Sequence, residues 1–250
     1  MTTYVVRVWV PDRPGALGAV ASRIGAVRGD LVGIDILERG AGRAIDELIV
    51  ELPDDGLVPL LVKEISAVDG VDVEDVRPAA EWLADPRLDA LETAAVLVEQ
   101  DGVRPLVEAL ARHAFRDFQA DWVAVVDLSS PNSPGPGLIG PGPITTAGPV
   151  PPTAWLTAFV EGSRASMSLS TAPGPLSSAT HGAASFMGGP DDVAWAELEA
   201  ADLVIVLGRK GRPLRARERR QLAALARIAN YRWVELVTRT ARLVHPSAAL

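Results

Sequence analysis

The break at Asp12-Arg13-Pro14-Gly15, set between an extended run and a helical one, does most to constrain how this chain folds. Before it, Tyr4–Val10 is rich in valine and aromatic residues and reads as a strand. After it, Leu17, Val20, Ile24 and Val27 recur at the spacing of one helix face. Pro14 suits the first helical turn, where its missing N–H is no loss. Gly29 stands where a C-terminal cap belongs. Leu31–Glu38 and Ala44–Leu52 read as two strands joined in a hairpin at Gly40-Ala41-Gly42. A second helix over Leu57–Val68 presents Leu57, Leu61, Ile65 and Val68 on one face; Gly70 ends it, and Val71, Val73 and Val76 supply a closing strand. The order is βαββαβ, the ferredoxin-like arrangement.

That order is shared by many functions, so the first turn has to narrow it. Asp12-Arg13-Pro14-Gly15-Ala16-Leu17 carries a D-x-P-G-x-L pattern between the first strand and the first helix, and residues 4–77 resemble the ACT domain. The resemblance implies a small regulatory module that binds an amino acid between two copies paired side by side. It places the binding turn on Asp12, Arg13, Pro14, Gly15, Ala16 and Leu17 and the partner position on Asp30. Many members of the family carry an amide at the position of Asp30. An acid there either tightens the site on an ammonium or simply tops a strand facing water. The physics of such a site reads independently of the family. Gly15 lacks a Cβ and lets a ligand approach the backbone. The N–H groups of Ala16 and Leu17 open a helix and attract a carboxylate. Asp12 and Asp30 can accept hydrogen bonds from an α-ammonium. Pro14-Gly15 as a plain turn in a ligand-free dimerisation module is the alternative.

Beyond Pro78 the pattern changes. Asp85-Pro86 marks a boundary, because the residue before proline is biased away from helix. Two helical patterns follow, one through Leu88, Leu91, Ala95 and Val98, the other after Gly102 through Val103, Leu106, Leu110 and Ala114. Ala120–Leu128 reads as a strand. Ser129–Pro152 then holds 8 prolines and 5 glycines in 24 residues and predicts a long loop or ordered insertion. Thr153–Gly162 predicts a short helix, Ala165–Ser170 and Ser177–Phe186 irregular strands, and Val193–Leu198 and Asp202–Gly208 better ones, in a mixed sheet. A closing helix from about Arg215 to Leu243 lines up Leu222, Leu225, Ala229, Trp233 and Leu236. The strand from Asp202, the Gly208-Arg209-Lys210-Gly211-Arg212-Pro213 turn and this helix resemble the end of a GAF domain, and Leu88–Leu128 is similar to its start. The fold class expected is therefore α+β. A ferredoxin-like ACT domain spans 1–78, a linker 79–87, and a GAF-like α/β sheet domain with flanking helices 88–250, with the Pro/Gly-rich insertion at 129–152.

Composition excludes several chemistries. The chain has no cysteine and three histidines, which removes disulfides, thiolate metal sites and a cysteine nucleophile. The net charge of −8 divides into −6 over residues 1–80, −10 over 81–200 and +8 over 201–250. An acidic body argues against nucleic-acid binding. The seven Lys/Arg of Arg209–Arg220 punctuate a helix with an apolar side, so they read as a solvated or ion-paired face, open to a protein partner. No signal peptide pattern is visible, and runs such as Leu203–Leu207 fall short of the ~18–20 residues that span a bilayer. A cytoplasmic location without membrane contact is expected.

No catalytic set emerges. Gly135-Pro136-Gly137-Leu138-Ile139-Gly140 satisfies G-x-G-x-x-G, but prolines surround it and no helix pattern follows, so it cannot present N–H groups to a pyrophosphate. Ser163, Ser166, Ser168, Ser170, Ser177 and Ser178 lie in no nucleophile motif. His181 with Thr180 and Ser178 is the one suggestive cluster; His113 and His245 lie near helix ends. Asp54-Asp55 and Asp191-Asp192 read as solvated caps. The sequence therefore predicts a non-enzymatic amino-acid sensor, a homodimer with no cofactor or metal, its signal relayed to the GAF-like module. A dimerisation or interaction protein without a small ligand is the alternative.

Overall fold

Period-2 alternation builds the first sheet. The computed structural model describes residues 1–79, 86–129, 142–171 and 193–244, and the chain divides into two units, Met1–Asp85 with Arg215–Arg217 and Pro86–Leu214 with Glu218–Leu250. In the first, β1 (Thr2–Pro11), α1 (Ala16–Ala26), β2 (Asp30–Gly40), β3 (Arg43–Leu52), α2 (Val58–Ser66) and β4 (Asp72–Pro78) follow in the expected order. The sheet runs β2-β3-β1-β4 with every neighbour antiparallel. Tyr4, Val6, Val8 and Val10 of β1 and Leu48, Val50 and Leu52 of β3 point to one face. There they pack with Ala16, Val20 and Ile24 of α1 and with Leu61 and Ile65 of α2.

Two local expectations need correcting. Pro14 stands ahead of α1, not in its first turn: Gly15 is the N-cap, at φ +87°, and the helix begins at Ala16. Gly29 is not the left-handed residue that ends α1; Arg28 is, at φ +61°. The N–H of Arg28 donates to the Gly25 carbonyl (3.0 Å) and that of Gly29 to the Ile24 carbonyl (3.0 Å), which is Schellman pairing. Glycine is needed at 29 for space, since a Cβ would lie 3.0 Å from Ile24 Cγ2 and 3.2 Å from Leu52 Cδ2. The hairpin at Ala41-Gly42 has both residues at positive φ, +50° and +75°, a two-residue turn whose twist matches its strands.

The face of this sheet away from the helices carries charge. Arg7, fully buried, reaches Glu47 through Nε (3.0 Å) and Nη2 (2.8 Å). Arg77 donates to the same Glu47 oxygen (2.9 Å) and to Asp75 (2.9 Å), while Trp9 Nε1 donates to Glu74 (2.6 Å). Burial pushes the Glu47 carboxyl up, but Arg77 and Arg7 outweigh it and hold it below the usual range.

The second unit contains α3 (Pro86–Glu99), α4 (Val103–Asp117), β5 (Trp122–Asp127), β6 (Gly142–Ala147), α5 (Thr153–Thr171), β7 (Val193–Leu198), β8 (Leu203–Gly208) and α6 (Ala216–Val244). Its sheet, β6-β5-β8-β7, is antiparallel throughout rather than mixed. Val123, Val125, Ile205 and Leu207 face α4 and α6; Ala124, Val126, Val204 and Val206 face Leu156 and Val160 of α5. Burial on both faces is why β5 and β8 read as continuous apolar runs. All five residues of the predicted α6 stripe are buried.

Part of the Pro/Gly-rich segment is strand. The run Thr145-Thr146-Ala147 pairs with β5, Ile144 is skipped at a register shift, and Pro143 is tolerated because β6 is an edge strand, where a missing N–H costs no ladder bond. Residues 165–170, expected as strand, are helical and continue α5 to Thr171. Residues 177–186 lie outside the described residues, as do the G-x-G-x-x-G run, His181, His245 and Asp191-Asp192. No helix among the described residues is long and apolar enough to cross a membrane.

Candidate functional site

The β1–α1 turn is built by backbone bonds. The Asp12 N–H donates to the Gly42 carbonyl (2.9 Å), tying the turn to the β2–β3 hairpin, and the Arg13 N–H donates to the Pro11 carbonyl (2.8 Å). The Ala16 N–H is not available to a ligand, because it donates to the Arg13 carbonyl (3.3 Å). The first intrahelical bond runs from the Ala19 N–H to the Gly15 carbonyl (3.0 Å), which leaves the N–H groups of Leu17 and Gly18 ahead of the helical ladder. Nothing lies within 4 Å of where a Gly15 Cβ would stand. Asp12, Arg13, Pro14 and Gly15 are exposed, Ala16 is buried and Leu17 packs partly against the core. The Arg13 guanidinium meets Asp69 (3.5 Å) with both side chains in solvent, so that pair fixes little.

Within one copy, Asp30 is not brought to this turn. β1 and β2 both run antiparallel to β3 and hence parallel to each other. Pro11 pairs with Arg43 and Asp30 with Glu51, so Asp12 and Asp30 stand at opposite ends of β3, eight residues or about 27 Å apart along the strand. β2 is a sheet edge, and Val32, Ile34 and Ile36 on it are 51%, 40% and 38% exposed.

A carboxylate that sequence reasoning passed over does lie near the turn. Asp46 pairs with Val8 on one side and Ile36 on the other, in the inward series Ala44, Asp46, Leu48, Val50, Leu52. It is 4% exposed, and its Oδ1 has no hydrogen-bond partner. Burial pushes its carboxyl above the usual range; Arg39 pulls it down and Asp12 pushes it up. The period-2 pattern of β3 was the available signal, since it sets an acid in a row of core positions.

In the second unit, Thr93, His113, Arg116 and Asp117 form a clamp between α3 and α4. The buried Thr93 hydroxyl donates to Asp117 Oδ2 (2.6 Å) and lies 3.2 Å from His113 Nδ1 and from Arg116 Nη2, while Arg116 Nε donates to Asp117 Oδ1 (2.8 Å). Burial, with Arg116 adding to it, holds the His113 imidazole below its usual value. A hydroxyl committed to Asp117 and shut from solvent ties the two helices together. Nor is the whole basic run a solvated face. Arg209, 3% exposed, donates to Glu218 (2.8 and 3.1 Å) and to the carbonyls of Phe118, Arg212 and Pro213. Asp54 caps a short 3₁₀ turn through the Gly56 N–H (2.7 Å), as expected. Among the described residues no three His, Asp or Glu side chains gather where they could hold a metal.

Residues 4–70 match the ACT domain family, so the N-terminal unit carries an ACT domain. No curated protein matches the chain. Among solved structures, the chain is similar to a formyltetrahydrofolate deformylase from Pseudomonas putida KT2440, at 19% identity and a TM-score of 0.24. The likeness covers 31% of this chain and 28% of that one, so the chain spans under a third of the deformylase. It is also similar to an unknown protein from Galdieria sulphuraria, at 14% identity and a TM-score of 0.27, over 52% of this chain and 73% of that one.

Proposed function

We propose that this ACT domain binds a free amino acid between two copies of the chain, and that the chain is a non-enzymatic regulatory protein. The observation that carries the reading is the β1–α1 turn. An exposed Gly15 at φ +87° opens space above the N–H groups of Leu17 and Gly18. Amide donors at a helix N-terminus suit a carboxylate, and Asp12 beside them suits an ammonium.

The separation of Asp12 from Asp30 supports a shared site over a site within one copy. Edge strands related by a two-fold axis pair antiparallel, which sets the start of one β2 beside the end of the other. Asp30 of one copy then stands at the end of the sheet where the other copy carries its Asp12–Leu17 turn. The exposed Val32, Ile34 and Ile36 on that edge favour its being covered. In this reading the second unit is a GAF-like module that relays the state of the ACT dimer or strengthens the dimer. Its strand order β6-β5-β8-β7, with α3 and α4 opening and α6 closing, supports that assignment. Relay requires the ligand to favour one dimer arrangement over another.

Calorimetry of the full chain against each standard amino acid at millimolar concentration tests the reading. Saturable binding of at least one, abolished by Asp12→Ala, is the expected result. A dimer that binds none of them would leave a dimerisation module and remove the sensor.

A further inference from the structure

We infer that the buried Asp46 carboxylate joins Asp12 as a second anionic acceptor for the ammonium group of the bound ligand, which confines the ligand to molecules that carry a primary amine as well as a carboxylate. The inference rests on the amino-acid reading of the β1–α1 turn and assigns that site a residue outside the turn.

Asp46 lies on the helix-facing side of the sheet, in the row Ile36–Asp46–Val8. The next row toward the turn is Arg39–Ala44–Val10. Val8 and Val10 pack in one cluster with Ala16, the first residue of α1, so the opening of the helix lies over the end of the sheet that holds Asp46. The other groups along those rows are apolar; Arg39 and Asp12 are the charges Asp46 feels, and no salt bridge joins it to Arg39. Among the described residues nothing donates a hydrogen bond to its buried Oδ1. A buried carboxylate normally has its lone pairs satisfied. Here the missing donor is matched by what a zwitterion carries on the carbon beside its carboxylate. With the carboxylate on the N–H groups of Leu17 and Gly18, the ammonium would fill the vacancy at Oδ1. Ile36, the edge-strand residue paired with Asp46, is 38% exposed, so Asp46 lies one strand in from the edge. The chemistry selects against 2-hydroxy and 2-keto acids, which present an oxygen acceptor where Asp46 needs a donor.

The test compares the full-length wild type with Asp46→Asn, titrating each standard amino acid and then the 2-hydroxy analogue of whichever binds best. Asp46→Asn should weaken the amino acid by about tenfold or more, the scale of one charge-assisted hydrogen bond. It should leave the weak binding of the hydroxy acid unchanged. In aspartate-labelled wild type, the ligand should shift the Asp46 carboxyl carbon resonance. An amino acid that binds the wild type and Asp46→Asn within about twofold of each other, with that resonance unmoved, overturns the role of Asp46 and leaves the sensor reading standing. Failure of every amino acid to bind the wild type overturns both. A marked drop in the melting temperature of Asp46→Asn would show a carboxylate engaged in the fold, and would equally defeat the inference.

Discussion

Asp46 and Glu47 are chain neighbours on opposite faces of β3, and their carboxyls are displaced in opposite directions. Asp46 faces the helices without a hydrogen bond to its buried oxygen, and burial raises it. Glu47 faces the other way and is partly buried, but the guanidinium groups of Arg77 and Arg7 lower it. One strand thus holds an acid that weakens the fold when ionised and an acid that strengthens it.

Asp46→Asn should stabilise the protein at neutral pH. The folded-state value of Asp46 lies above the ordinary 3.8, so its folded form holds the proton longer than its unfolded form. Its share of stability is therefore present below 3.8 and lost as pH rises through the raised value. Urea unfolding of wild type and variant from acid to neutral pH should give curves that coincide below 3.8 and separate above it, with the variant higher. Arg39 and Asp12 are the neighbouring charges, the first lowering and the second raising the Asp46 carboxyl, and burial outweighs both.

Glu47→Gln should cost about 3–5 kcal/mol, because it leaves the fully buried Arg7 without its closest counter-charge. Arg7→Met, which removes the buried charge and keeps much of its volume, should cost less than Glu47→Gln. In the wild type, Glu47's contribution is fully present above its ordinary 4.5 and lost as pH falls through its lowered value. Chemical denaturation of the two variants near neutral pH measures the difference, and a scan into acid follows the loss.

Backbone strain gives a paired prediction. Gly15 at φ +87° has open space around it, so Gly15→Ala should lose about 1–2 kcal/mol from conformation alone. Ala41 at φ +50° already bears that strain in the hairpin, and Ala41→Gly should gain about 1 kcal/mol. Thermal unfolding should move in opposite directions for the two.

Gly208→Ala tests the packing of the second sheet. Gly208 pairs with Trp122 across the strands, and a Cβ there would run into the Trp122 ring. A ring held between strands has little room to yield, so a loss of about 1–3 kcal/mol is expected by denaturant unfolding.

The βαββαβ order was legible because each strand keeps one face inward, as Tyr4, Val6, Val8 and Val10 do. Gly15 and the D-x-P-G-x-L turn were legible because positive φ and a helix opening demand particular residues. Pro14 misled because its fixed φ serves equally well just before a helix as inside its first turn. β6 was hidden by composition: Pro143 hides a strand unless the strand is known to be an edge, which only pairing with β5 reveals. Arg209 looked like surface because seven cations stand together, whereas its partner Glu218 lies in the first turn of α6 and its carbonyl partner Phe118 comes from a distant segment. Asp46 was read past for a similar reason, since whether an inward acid is satisfied depends on side chains far away in sequence.

If a second copy completes the amino-acid site, mixing two binding-dead variants should restore it. Asp12→Ala and Asp30→Ala homodimers should each fail to bind the amino acid that the wild type binds. Co-expressed and purified as a heterodimer with two different tags, they should bind it at one site per dimer with near-wild-type affinity, because one interface pairs an intact turn with an intact Asp30. A heterodimer as inactive as either parent, or an Asp30→Ala homodimer that binds normally, would contradict it.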